Sequence, residues 1–231
     1  MTRQLAFDLP HRTALGREDF FVSATNAQAL AALDAWQSWP GGKMVLVGPP
    51  AAGKTHLAHV WAAASGAALH PAQSLATADI AALGSEKAVV IEDCQTLAQT
   101  HGAQEALFHL HNMLASKGAA LLMTAATAPR DWGLTLADLA SRVQAAPLTR
   151  LEAPDDALLS AILIKLFADR QIAVTPALIA YLLPRMDRSF DAARALVADL
   201  DAAALARGTG VTRTLAATVL DNLSTPGKTV I

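Results

Sequence analysis

The chain has 231 residues, 53% of them hydrophobic but only 5% aromatic, and a formal net charge of −2. That length suits one large domain or two modest ones, and the near-neutral charge excludes a global basic field that would recruit nucleic acid. The single Cys94 excludes an intramolecular disulfide, Asp8 and Pro10 break any secretory leader, and no apolar run reaches the roughly 18 residues of a membrane span, so a cytoplasmic protein with no membrane partner is expected.

Residues 1–16 are read as a tail. Its one apolar patch is Gln4-Leu5-Ala6-Phe7-Asp8-Leu9. Such a peptide, with one amide and alternating large apolar groups, either docks in an apolar pocket on a partner or folds back on its own domain. Residues 17–42 carry Asp19-Phe20-Phe21-Val22 and then a helix from about Asn26 to Trp36, with Leu30, Leu33 and Trp36 on one face.

The next run, Lys43-Met44-Val45-Leu46-Val47, predicts a buried strand. Gly48-Pro49-Pro50-Ala51-Ala52-Gly53-Lys54-Thr55 follows and fits the phosphate-binding pattern G-x-x-x-x-G-K-[ST]. Apolar-rich His56 to Ala64 predicts a helix. Strand, Gly-rich loop and helix in succession are the context in which that pattern carries meaning. The glycines let backbone wrap phosphate oxygens, and the N–H groups at the helix start face the anion. Lys54 supplies a point charge, and Thr55 offers a hydroxyl to Mg2+. Phe20 and Val22 wall a nucleotide base or belong to the core; the residues leave both open.

Ala67–His70 is read as a short strand and Asp79–Leu83 as a short helix. Lys87-Ala88-Val89-Val90-Ile91-Glu92-Asp93 predicts a buried parallel strand that delivers two acids at its C-terminal edge, where ligands bind in open α/β sheets. Glu92 would hold Mg2+ through its water shell, and Asp93 would orient or deprotonate an attacking water. Gln104 to Ser116 predicts a helix stopped by Gly118. Ala119 to Thr124 is a third buried strand, whose terminal hydroxyl could sense a γ-phosphate. Residues 134–143 predict a helix ending in Ser141-Arg142-Val143, and Leu148–Leu151 a last strand.

From Pro154 the pattern is helical only. Asp155 and Asp156 start a helix over Ala157–Asp169, and Thr175-Pro176 caps one over Ala177–Leu183. Ser189 caps a long helix to about Arg207, stopped by Gly208, and Thr212 caps a last one to about Leu223. The expected fold class is α/β, a parallel-sheet P-loop domain over 17–153 followed by a small all-α lid over 154–231. His56, His59, His109 and His111 lack ligand company and are not read as metal ligands.

A P-loop, a two-acid strand, a polar-ended strand and a helical lid resemble an AAA+ ATPase. Glu105-Ala106-Leu107-Phe108-His109-Leu110-His111-Asn112 resembles the E-x-x-F-H-x-x-N signature of bacterial DnaA-type initiators. Asp19-Phe20-Phe21-Val22 with Asn26 resembles their adenine-side box. Leu136 to Val143 resembles their box VII, which implies that Arg142 is an arginine finger on a neighbouring subunit's nucleotide. Asp187-Arg188 resembles the sensor 2 entry, which implies that Arg188 reaches the phosphates from the lid; Arg194 is the alternative.

The resemblance implies ATP or ADP held by Phe20, Val22, Gly48, Pro49, Pro50, Ala51, Ala52, Gly53, Lys54, Thr55, His56 and Arg188. It implies Mg2+ at Thr55 and Glu92, and catalytic roles for Asp93, Thr124 and Arg142. The tail is similar to a sliding-clamp peptide of the family's regulatory members, with Gln4, Leu5, Phe7 and Leu9 as anchors. Implied partners are a DnaA initiator, the DNA polymerase sliding clamp, DNA indirectly through that clamp, and a further copy of the chain. The chain is expected to act without the initiators' helix-turn-helix. Glu92 stands where the family has Asp, and Ala126 and Thr127 replace a polar and a basic residue after Thr124, so weak or partner-dependent hydrolysis is expected. The rival expectations are a self-sufficient motor or loader, and a DNA-associated replication factor with an initiator-like core.

Overall fold

The computed structural model describes residues 21–224. The readings on Gln4, Leu5, Phe7, Leu9 and Phe20 lie outside the described residues. Five strands, β1 (Lys43–Val47), β2 (Ala68–Pro71), β3 (Ala88–Glu92), β4 (Ala120–Ala125) and β5 (Leu148–Arg150), form one parallel sheet in the order β2-β3-β4-β1-β5.

The apolar runs become strands because both faces of this sheet are covered. Alternation divides them between two cores. Val45, Val47, Val89, Ile91, Leu121 and Met123 face α4 (Ala103–Lys117) and α5 (Ala137–Ala145). Met44, Leu46, Val90 and Leu122 face α1 (Ala27–Asp34) and α2 (Lys54–Ser65), where Trp39 stacks on Trp61 with ring centroids 5.2 Å apart. A short α3 (Ile80–Leu83) is capped by the Asp79 carboxylate.

Register fixes what meets at each end of the sheet. Val47 pairs with Ala125 and Ile91 with Met123, so the loop after β1, the end of β3 and Thr124 converge on one edge. The chain leaves α5 and enters β5 at the opposite edge, where the Val45 N–H donates to the Pro147 carbonyl at 2.8 Å.

After Leu151 the described chain has helices only: α6 (Asp156–Asp169), α7 (Pro176–Leu182), α8 (Phe190–Arg207) and α9 (Arg213–Ser224). They share a core built on Leu163, Phe167, Leu182, Val197, Leu200 and Ala216. Asp155, Thr175, Ser189 and Thr212 each accept a backbone N–H at a helix start, worth about 1 kcal/mol apiece. Among the described residues no helix is long and apolar enough to cross a membrane.

Most boundaries agree with the sequence reading to within a residue, and four differences have a local cause. α1 is Ala27–Asp34 rather than Asn26–Trp36, because the Asn26 side chain bridges the Ser23 N–H and the Phe21 carbonyl. α2 starts at Lys54 rather than His56, because Gly53 at φ 97° turns the chain straight into the helix. β3 stops at Glu92, because Asp93 adopts φ 56°. α5 is Ala137–Ala145 rather than 134–143, because the Gln104 side chain holds the Thr135 and Leu136 N–H groups in the preceding loop.

Candidate functional site

The loop after β1 is built as the sequence pattern requires, with different reasons for its glycines. Gly48 is buried, and a Cβ there would overlap the Leu151 carbonyl oxygen. Its small size therefore serves close packing against the chain leaving β5. Gly53 combines φ 97° with the Phe190 ring, whose Cε2 would lie 2.8 Å from an added Cβ. Ala51 also sits at positive φ, 57°. Pro49 and Pro50 are exposed and carry no N–H, so loop donors begin at Ala51, ahead of buried Ala52. The Ala52 N–H donates to the Pro49 carbonyl at 3.3 Å, and the Leu57 N–H donates to the Gly53 carbonyl at 2.9 Å. The Lys54 and Thr55 N–H groups stand at the start of α2, ahead of its first intrahelical bonds, and the positive end of α2 opens on the loop.

Lys54 is nearly buried, and its Nζ donates to the carbonyls of Gly48 at 2.8 Å and Pro49 at 2.9 Å. Burial lowers its pKa, and the nearby Asp93 charge opposes that shift. Glu92, at the end of β3, has a buried Oε1 without a hydrogen-bond partner.

Asp93 and Thr124 are arranged differently from expectation. The apolar run predicts Asp93 as the last residue of the strand; it is instead turned off the strand in the left-handed region. Its N–H donates to Thr124 Oγ1 at 3.3 Å, and its carboxylate accepts from Gln95 Nε2 at 3.1 Å. Thr124 is 1% exposed, and its hydroxyl oxygen accepts that Asp93 N–H. Gln95 is a site residue that the motifs do not mark. Its Oε1 accepts the Ala126 N–H at 3.0 Å and so ties the acid to the end of β4. A polar residue two places after an acid was the signal available. The Cys94 thiol beside them is fully buried, and burial pushes its pKa far up, which removes it as a nucleophile.

A cavity of ≈ 370 Å³ lies where the helical unit meets the loop, lined by Ala51, Gly53, Thr55, His56, Phe190, Asp191 and Arg194. The Phe190 N–H donates to the Ala51 carbonyl at 3.3 Å and closes that seam. Arg194 lies 3.9 Å from Asp191 on the next helical turn. Arg188, expected to reach the loop, pairs instead with Asp156 at 2.7 Å, away from the cavity lining. Arg188 precedes the Ser189 cap, and that position aims it at the start of α6. Val22 is 60% exposed and also stands outside the lining. Among the described residues no group of three or more His, Cys, Asp or Glu could hold a metal alone.

Arg142 is elsewhere. It is exposed in the last turn of α5, with its guanidinium carbon 5.3 Å from the centroid of the Phe108 ring on α4. Its charge adds to burial in lowering the pKa of Lys43, and it helps hold His111 at about 4, where burial and Lys43 act more strongly. Lys43 opens β1 and the Gly48 loop closes it. A strand of that length spans roughly 15 Å. The structure therefore brings Lys54, Glu92, Asp93 and Thr124 to one edge and leaves Arg142 at the other.

Solved structures share this fold. Domain III of the Thermotoga maritima replication initiation protein DnaA superposes with TM-score 0.79 at 20% identity, covering 94% of this chain and 100% of that domain. AMPPCP-bound DnaA from Aquifex aeolicus gives 0.68 at 18% identity, over 80% of this chain and 64% of that one. The Thermotoga maritima RuvB Holliday junction branch migration motor gives 0.68 at 18% identity, over 90% and 72%. The chain has the AAA+ fold. It spans the whole of the isolated initiator domain but under two thirds of the longer Aquifex initiator. No protein-family description and no curated protein matches the sequence. At these identities the likeness establishes fold alone.

Proposed function

We propose that this chain is a nucleotide-binding AAA+ regulator of replication initiation, similar to Hda, the regulatory inactivator of DnaA. In this reading residues 4–9 dock on the DNA sliding clamp, which brings the chain to DNA indirectly. Arg142 then promotes hydrolysis of ATP held by a DnaA initiator, or by another copy of this chain. The observation that carries the reading is the separation of Arg142 from its own loop. An exposed guanidinium at the far edge of the sheet cannot touch a nucleotide on its own Gly48–Thr55 loop, but it can be offered to a neighbour's.

The chain's own site fits a nucleotide that acts as a latch between sheet and lid. The Lys54 and Thr55 N–H groups at the start of α2 and the Lys54 ammonium suit the phosphates of ATP or ADP. Phe190 and Arg194 bring the helical unit to the same place. The orphaned Glu92 oxygen and the exposed Thr55 hydroxyl fit Mg2+ bound with those phosphates. The ion would neutralise phosphate charge there. Thr124 and Gln95 fix Asp93 through its N–H and its carboxylate, an arrangement compatible with slow hydrolysis at this site.

An arginine finger is worth ~10³–10⁵ in rate, so a chain with weak chemistry of its own can still switch a partner. The test is turnover of DnaA-bound ATP with clamp and DNA, comparing wild type with Arg142→Ala. Stimulation should disappear in the variant; unchanged turnover would remove the finger. A chain lacking residues 1–10 should lose clamp pull-down while keeping its nucleotide.

A further inference from the structure

The three turns of α4 that face α5 carry Gln104, Phe108 and His111, spaced so that they share one side of the helix. Gln104 is 8% exposed, and its Oε1 accepts the Thr135 N–H at 2.9 Å, the Leu136 N–H at 3.2 Å and the Thr135 hydroxyl at 3.4 Å. A buried amide oxygen with three donors fixes the backbone entering α5. One turn further along α4, the half-buried Phe108 ring lies beneath the Arg142 guanidinium. No carboxylate pairs with Arg142 among the described residues, whereas Arg130, Arg170, Arg188 and Arg194 all have acids within 4 Å.

That difference has a chemical consequence. An acid would orient the guanidinium and also cancel much of its charge. An aromatic face orients it through the ring quadrupole and leaves the charge intact. His111 beside it is 4% exposed and neutral near pH 7, so it adds no competing cation.

Resting on the trans-acting reading of Arg142 above, we infer that Phe108 is the positioning residue of this arginine. The ring holds the guanidinium ready for an anionic phosphoryl group on an adjacent subunit, and Gln104 holds the helix that carries it. An exposed arginine samples many rotamers, and holding it near its working geometry raises the rate of the step it serves.

The experiment uses the full chain with two readouts. One is turnover of the partner's ATP under the clamp and DNA conditions above. The other is the order of the Arg142 Nε–H bond by nitrogen relaxation, which needs no partner. Phe108→Leu should lower stimulated turnover about tenfold and loosen Arg142, while Phe108→Tyr, which keeps a ring face, should stay within about twofold of wild type on both. Affinity of the chain's own loop for ADP should not change in either. Phe108→Met substitutes if the leucine variant loses its thermal transition. Equal Arg142 order in wild type and Phe108→Leu would overturn the inference, as would a tyrosine variant as impaired as leucine. If Arg142→Ala leaves turnover unchanged, the trans reading fails, and the relaxation readout still decides the positioning.

Discussion

At one edge of the sheet Lys54 is nearly buried, with its ammonium on two loop carbonyls. At the other edge Arg142 is exposed, resting on an aromatic face with no acid beside it among the described residues. A cation that serves its own loop can be held by that loop's backbone. A cation that serves a neighbour must stand clear of its own chain, and it must be oriented by something that leaves its charge free. Under the proposed function the two groups meet these two requirements, and the contrast can be broken from either side.

The largest effect belongs to Arg142. Its removal should cost the stimulated turnover of partner ATP ~10³-fold or more while sparing the chain's own nucleotide. Next comes acid sensitivity on the Arg142 side. His111 is held at about 4 against a usual 6.5, chiefly by burial. Its folded pKa therefore lies below its unfolded pKa, and the unfolded chain binds the extra proton between those values. Stability is complete above pH 6.5 and falls as pH drops toward 4, by on the order of 3 kcal/mol for this group. Urea unfolding at pH 7 and pH 4.5 should show a smaller acid loss in His111→Gln than in wild type; equal losses would refute the assignment.

On the loop side, Lys54→Ala should weaken ADP affinity roughly a hundredfold, the scale of a lost charged hydrogen bond. Titration with a fluorescent nucleotide would measure it. Smallest is the lid contribution. Arg194→Ala should weaken the same affinity about tenfold, and Arg188→Ala should leave it nearly unchanged, since Arg188 pairs with Asp156. The reverse order would restore Arg188 to the site.

Much of the molecule was legible because its signals are local. Continuous apolar runs mark β1, β3 and β4, since a parallel sheet covered on both faces needs no polar positions. Thr175, Ser189 and Thr212 mark helix starts through hydrogen bonds three residues long. The misread features depend on distant partners. Asp93 leaves the strand with its N–H bonded to a hydroxyl 31 positions away. Gly48 fits the phosphate pattern, and the Leu151 carbonyl adds a packing reason for its size that the pattern does not carry. The choice between Arg188 and Arg194 was present in the sequence as helical phase. Once Ser189 is the cap, Phe190 and Arg194 share a face one turn apart, and Arg188 lies before the helix. What the phase could not supply was which face meets the loop, because that requires the packing of α8 on Gly53 and Ala51.

The most direct test of the two-edge account is the affinity of the isolated chain for ADP in Arg142→Ala. The account predicts a value within about twofold of wild type, because a strand's length of roughly 15 Å separates Arg142 from the loop. A tenfold or greater loss would mean that Arg142 reaches its own nucleotide, and the trans role would have to be abandoned.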